Sequence, residues 1–403
     1  MNQADPLGWW QRPGLEYIDG RLHFAEHDVT RLAKRFGTPS YVYSAARIKA
    51  NLRRVHGALE SAGMSQHTLC YAMKANRFAP LLTMLKLSGL CGIDACSPQE
   101  VVHAVSCGFR PEDISFTAGS LSERDVTLLA SYDGLSMDCD SLFAIERWGQ
   151  HRPGSSIGIR INPAVGIGRG DNEKLLYAGD KTSKFGVYRE QFNDALALAR
   201  KYNLRVTKIH FHTGCGYLTE QLPLLDKVLS ASQWFIDTAE TIERVNIGGG
   251  LGVPHVQTDG HLDLNAWATL IAKHYQHQNL HIEVEPGDYI VKDAGLLLLG
   301  KTYLETKRQT LFLGTDAGFN ICPEPAYYQL PFQPVPLQWN GGSLQAHHVT
   351  GNINEALDLW AEDAMLPDMQ DQAFLALINA GAYSASMASN HCMRGDFNQF
   401  IIL

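Results

Sequence analysis

The stretch Thr68-Leu69-Cys70-Tyr71-Ala72-Met73-Lys74-Ala75-Asn76 passes from an apolar, strand-like run into a polar turn and sets one lysine at the junction. A buried ammonium is costly, and burial lowers its pKa. An amine with a depressed pKa is suited to forming a Schiff base with a carbonyl cofactor. A lysine at the same place can also snorkel to the surface. What the other strand ends carry decides between the two.

Outward from Thr68–Met73, similar short runs recur at Cys91–Ala95, Ile114–Ala118, Gly134–Met137, Ser156–Ile161, Val206–Phe211, Arg244–Ile247 and His281–Glu285. Helical patterns separate them. Phe78–Ser88 is apolar at helical spacing, and Pro98–Ser106 has proline in its first turn and Gly108 as a stop. Early in the series the repeat is about 20–25 residues, one strand–helix unit. Eight such units predict an α/β fold, a closed (β/α)8 TIM barrel over residues 45–300. After residue 300 strands and a cluster of prolines predict a C-terminal β-domain over 301–403. The hairpin pattern Leu15-Glu16-Tyr17-Ile18-Asp19-Gly20-Arg21-Leu22-His23-Phe24, with Asp-Gly as its turn, predicts that residues 1–44 pack with that β-domain.

The chain has 403 residues, 45% apolar and 19% charged, as in an ordinary globular protein. A net charge of −8 and the lack of a basic run argue against a nucleic-acid partner. The longest apolar run, Ala294–Gly300, is too short to span a bilayer, and Met1–Pro6 lacks the basic start and apolar core of a signal peptide. Eight cysteines, at 70, 91, 96, 107, 139, 215, 322 and 392, form no CxxC pair. They read as reduced core residues of a cytoplasmic protein.

The chemistry of a barrel lies where its strands end, and the unusual residues fall there. Lys74 follows the first strand, Asp94 lies on the second, and His210 and His212 come at the end of the sixth. Gly248-Gly249-Gly250 follows the seventh and Glu285 closes the eighth. The glycine turn offers bare N–H groups that can cradle a phosphate. A buried Glu285 requires a cationic partner, either a neighbouring basic side chain or a protonated pyridine nitrogen. His210 and His212 share a face, and either can stack on a flat ring. No third ligand matches them, so no metal site is predicted. No GxSxG elbow marks a serine hydrolase. A Schiff-base lysine, a phosphate turn, a stacking histidine and a carboxylate for a pyridinium describe a site for pyridoxal 5'-phosphate (PLP).

These residues, in order and spacing, resemble the fold type III PLP decarboxylases (alanine racemase/decarboxylase-like). They look most like diaminopimelate decarboxylase, with the ornithine and arginine decarboxylases more distant. The resemblance covers nearly the whole chain. It includes Gly37–Tyr43, Tyr71–Asn76, Asp94 with Ser97 and Glu100, Arg160–Pro163, Ser183–Gly186, His212, Gly248–Gly250, Glu285-Pro286-Gly287, Asp316–Gly318 and Gly381–Tyr383. It implies that Lys74 holds PLP, His212 stacks on the ring, and Glu285 pairs with the ring nitrogen. Gly248, Gly249, Gly250, Asp94, Cys215, Gly287 and Tyr383 would complete the cofactor site. Asp288, Glu324, Tyr328, Glu355 and Tyr383 would line the substrate. It further implies a homodimer with active sites at the interface.

The chain also departs from the family pattern. Asn354 stands where the partner subunit's catalytic cysteine is expected, and an amide cannot replace a thiol as proton donor. Asp288 and Glu324 occupy arginine positions, and Cys215 replaces a hydroxyl. Two acids in place of two arginines would repel the distal carboxylate of diaminopimelate. The expected activity is therefore decarboxylation of a different amino acid, from specialised, amine or siderophore metabolism. Diaminopimelate itself, a racemase or epimerase reaction, and a PLP-binding protein without catalysis are the alternatives.

Overall fold

The computed structural model describes residues 7–170 and 172–403. Met1–Pro6 and Asp171 lie outside the described residues, and with them the N-terminal start read above. The chain clusters into two compact units: residues 51–253 with 260–289, and residues 1–50 with 254–259 and 290–403.

The second of these, the β-unit, opens with Leu15–Ile18 (β1) and Arg21–Phe24 (β2), paired as a hairpin. Its turn residues Asp19 and Gly20 have φ of 48° and 70°, the positive pair that a two-residue I′ turn requires. His27–Asp28 (β3) adds to β2, and Asp28 caps the helix Val29–Phe36 by accepting from the N–H groups of Thr30 and Arg31. Ser40–Ser44 (β4) follows and is buried throughout.

The barrel unit holds His67–Ala72 (β5), Gly92–Ala95 (β6), Ile114–Thr117 (β7), Ser136–Cys139 (β8), Ser156–Asn162 (β9), Val187–Tyr188 (β10), Arg205–His210 (β11), Arg244–Asn246 (β12) and His281–Val284 (β13). The pairing order is β10-β9-β11-β12-β13-β5-β6-β7-β8, and β8 pairs back to β9. Every pair is parallel. The sheet is therefore a closed (β/α)8 barrel with β10 as an outer strand on β9, and the eight runs read from the sequence are its staves. Ser97, Ser122 and Ser141 start the helices Pro98–Ser106, Glu123–Ala130 and Leu142–His151 by accepting backbone N–H bonds just beyond β6, β7 and β8.

The barrel interior is unusually polar. Strand period puts Ser115 with Thr117, Asp138 with Asp140, Lys208 with His210, and Glu283 with Glu285 on one face of their strands. All eight are buried. Lys208 Nζ lies 2.9 Å from Asp138 Oδ2 and 3.2 Å from Glu283 Oε2, and donates to Ser136 Oγ at 2.8 Å. Gly158 makes room for this pair: a Cβ there would lie 1.8 Å from Asp138 Oδ1 and 2.9 Å from Lys208 Cε.

The β-unit continues with Gly295–Lys307 (β14), Thr310–Thr315 (β15), Pro334–Pro336 (β16), Gln345–Thr350 (β17), Leu359–Leu366 (β18), Phe374–Leu377 (β19) and Asn398–Ile402 (β20). β4 lies between β14, antiparallel to it, and β20, parallel to it. Leu22 donates to the carbonyl of Leu337, and Leu15, Leu22, Phe24, Val42, Leu296, Leu298, Val335 and Ala376 share one core. The apolar run 294–300, read above as the end of the barrel, runs from Gly295 into the first half of β14, which is buried through Leu299. The β-unit therefore resumes at Ile290 rather than at residue 301.

Candidate active site

β5 ends at Ala72 and delivers Lys74 in the turn two residues beyond. Lys74 Nζ donates to Asp94 Oδ2 at 2.7 Å; the aspartate side chain is 2% exposed and the lysine 36%. Burial alone would lower the pKa of Lys74, but the charge of Asp94 and its hydrogen bond, with Cys96 and Glu285, raise it above the ordinary lysine value. The expected depressed pKa is thus corrected, because a carboxylate sits directly on the ammonium. Burial, together with the charge of Glu285, pushes Asp94 up to about 6 against the pull of Lys74.

Glu285 follows β13. Its Oε1 accepts from Asn246 Nδ2 at 2.6 Å and Ser115 Oγ at 3.1 Å, and its Oε2 lies 3.1 Å from His210 Nε2. Burial would raise its pKa, yet His210, Lys74 and Lys208 bring it well below the usual carboxylate range. The cationic partner required by burial is therefore supplied from within the barrel. This commits His210 to Glu285 and leaves His212 as the histidine at the strand end.

The ring of His212 is 5.1 Å from that of Tyr177, tilted by 35°. Its Nδ1 accepts from the N–H of Gly249 at 3.3 Å, and Nε2 is 3.6 Å from Cys215 Sγ. With Nδ1 accepting, the neutral ring carries its proton on Nε2. Burial, then the charges of Lys74 and Arg160, hold its pKa well below the usual histidine value. His212 is therefore neutral at physiological pH, and it contributes stability present above an ordinary histidine pKa and lost as pH falls below it. Asp94, whose pKa is raised, acts in the opposite sense. Denaturant midpoints of the apoprotein taken from roughly pH 7 down to roughly pH 5 are expected to fall less for His212→Phe than for the wild type. Equal slopes would exclude a buried neutral His212.

After β12, Gly248 and Gly250 have φ of 69° and 97°. A Cβ on Gly249 would lie 2.2 Å from the carbonyl of Glu285, and one on Gly250 2.4 Å from that of Gly214. Glycine is required here on both counts. The turn packs its backbone too closely against neighbouring carbonyls to admit a side chain, and the N–H groups of Gly248 and Gly249 are given to Asn246 Oδ1 and His212 Nδ1. A glycine turn bare of side chains, a buried anionic carboxylate, a neutral ring and a strand-end amine together fit PLP. Among the described residues no cluster of three or more His, Cys, Asp or Glu side chains is arranged to hold a metal ion.

Residues 45–292 match the family described as pyridoxal-dependent decarboxylase, pyridoxal binding domain. The chain belongs to the pyridoxal-dependent decarboxylases. It is 34% identical to the diaminopimelate decarboxylase of Methanothermobacter thermautotrophicus, over 95% of this chain and 91% of that one. It is 30% identical to that of Aquifex aeolicus, over 95% and 90%. The diaminopimelate decarboxylase of Helicobacter pylori complexed with L-lysine superposes with a TM-score of 0.84 at 25% identity, covering 93% of this chain and 94% of that one. This decarboxylase is thus a PLP-dependent carboxy-lyase, with a TIM barrel and a separate β-domain. No helix among its described residues is long and apolar enough to cross a membrane.

Lys74, Asp94, His212, Cys215, Gly248–Gly250, Glu285, Gly287 and Asp288 lie in the barrel unit of the decarboxylase, and Glu324, Tyr328, Asn354, Glu355 and Tyr383 in its β-unit. Glu324 opens the short helix Glu324–Tyr328 and is ion-paired with Lys292, both side chains buried. The expectation of two repelling acids is corrected accordingly: the charge of Glu324 is matched within its own unit. Asn354 and Glu355 stand in an exposed tip, whose base is held by Asp358 accepting from the N–H of Phe319 at 2.7 Å and of Ile353 at 2.5 Å. Glu355 lies 3.5 Å from His391, and Tyr383 has a φ of 50°. Sequence reading missed Ser115, Asn246, Tyr177 and Lys208. The signal for two of them was available: Ser115-Phe116-Thr117 and Lys208-Ile209-His210 carry polar side chains two apart within strands.

Proposed function

We propose that this enzyme decarboxylates an amino acid whose distal group is not the free amino-acid carboxylate of diaminopimelate. The observation that carries this is the ion pair of Lys292 with Glu324. At one position where the resemblance places an arginine, the available ammonium is fully buried and committed to a carboxylate. At the other, Asp288, an acid replaces a base. A distal carboxylate would find neither of the two arginines, and at Asp288 like charge would oppose it at a cost of several kcal/mol.

In this reading Lys74 holds the cofactor, and its amine must first give up the proton that Asp94 helps retain. His212 presents a neutral ring face, Glu285 accepts a hydrogen bond from the ring nitrogen, and the glycine turn, whose N–H groups at Gly248 and Gly249 serve Asn246 and His212, meets the phosphate with the N–H of Gly250. Bound PLP supplies an electron-withdrawing ring that takes up the electrons released as the carboxylate departs. Asn354 cannot supply a proton, so Lys74 is the protein's own candidate for returning one to the substrate carbon. We also read the enzyme as a cytoplasmic homodimer in which the exposed tip 354–357 reaches a second copy.

A mass-spectrometric panel of basic, acidic and conjugated amino acids tests the reading. Carbon dioxide release is expected with a kcat/KM at least about a hundredfold above that for meso-diaminopimelate. Diaminopimelate as the best substrate would overturn the substrate assignment, and inversion without carbon dioxide would make the enzyme a racemase.

A further inference from the structure

Asn246 ends β12 and is fully buried. Its Oδ1 accepts from the N–H of Gly248 at 2.9 Å, and its Nδ2 donates to Glu285 Oε1 at 2.6 Å. Only one orientation of the amide serves both partners, since a carboxylate accepts and a backbone N–H donates. One side chain therefore ties the glycine turn to the carboxylate.

An ionised carboxylate offers about four acceptor positions. On Glu285, Asn246 and Ser115 occupy Oε1, and His210 stands at Oε2. One position on Oε2 remains. We propose that Asn246, assisted by Ser115, is a positioning residue that fixes Glu285 with this single remaining acceptor, so that the carboxylate reads the ring nitrogen of the cofactor while its phosphate is held by the linked turn. The proposal rests on the reading of Glu285 given above and adds the device that orients it. Asn246 touches neither cofactor nor substrate in this role.

The test uses apoprotein and two probes, PLP and its 1-deaza analogue, in which the ring nitrogen is replaced by C–H. Binding is followed by quenching of protein fluorescence, and folding by a thermal melt. In wild type PLP is expected to bind well ahead of the analogue. Asn246→Leu is expected to weaken PLP about tenfold, the effect of losing one hydrogen bond to a charged acceptor, while the analogue loses markedly less. The PLP-to-analogue ratio therefore shrinks. Ser115→Ala is expected to shrink it in the same direction, and carries the measurement if Asn246→Leu does not fold. A merely structural role would weaken both probes equally; an unchanged ratio in the folded variants overturns the proposal. Glu285→Gln separates the two levels. If it too leaves the ratio unchanged, the nitrogen reading of Glu285 itself fails. If it abolishes discrimination while Asn246→Leu and Ser115→Ala keep it, only the positioning role fails.

Discussion

Lys74→Ala is expected to lower kcat for amino-acid decarboxylation by about three orders of magnitude or more, the scale of losing a covalent catalytic group. The side chain is delivered by β5 to the mouth of the barrel, partly exposed, with its amine fixed by Asp94. Truncation leaves the strand and its pairing intact, so the melt should change little. Reconstituted wild type is expected to be yellow and to keep that colour through dialysis, whereas the variant should lose cofactor faster, because the attachment to Lys74 is gone. A variant that retained bound cofactor and near-normal turnover would remove Lys74 from its assigned role. Added methylamine restoring part of the activity would support a missing amine rather than a collapsed site.

Lys208→Met is expected to destabilise the barrel by about 3–5 kcal/mol, the usual cost of removing one partner from a buried ion pair. Its side chain is 3% exposed, and Asp138 and Glu283 depend on it. Arg244 still reaches Glu283 at 2.9 Å, so the main orphan is Asp138. Burial raises the pKa of Asp138 even with Lys208 present. Without the ammonium, the carboxylate must either protonate or remain charged away from water. Adding Asp138→Asn should therefore recover part of the loss, and a denaturant-midpoint cycle over the four proteins measures the coupling. Additivity in that cycle would mean that the pair is not coupled in the folded state.

The same interior charges explain what the sequence could and could not disclose. Strands free of buried acids were legible: Ile114–Thr117 and Arg244–Asn246 lie within one residue of their expected bounds. Gly134–Met137 was placed two residues early, because Ser136–Cys139 carries Asp138 at a buried position, and an acid in a short run reads as a turn. Lys74, His212, the glycines and Glu285 were visible because each breaks a pattern at a strand end. Asn246 and Ser115 were not, since their importance lies in partners brought from other staves, Glu285 and Asp138, far apart in sequence. Lys292 was likewise indistinguishable from any lysine until its pairing with Glu324 was seen.

The staves β5–β13 are one continuous stretch whose ladder partners are all found within it. β4, a buried Ser-Tyr-Val-Tyr-Ser strand, is made earlier than any of them, yet its neighbours β14 and β20 come only after residue 294 and after residue 397. During synthesis the barrel can close while this apolar strand still has both edges open, and open edges invite pairing with other chains. A strand made before every stave of the barrel is thus sheltered after them, and its protection depends on how quickly the far end of the chain arrives.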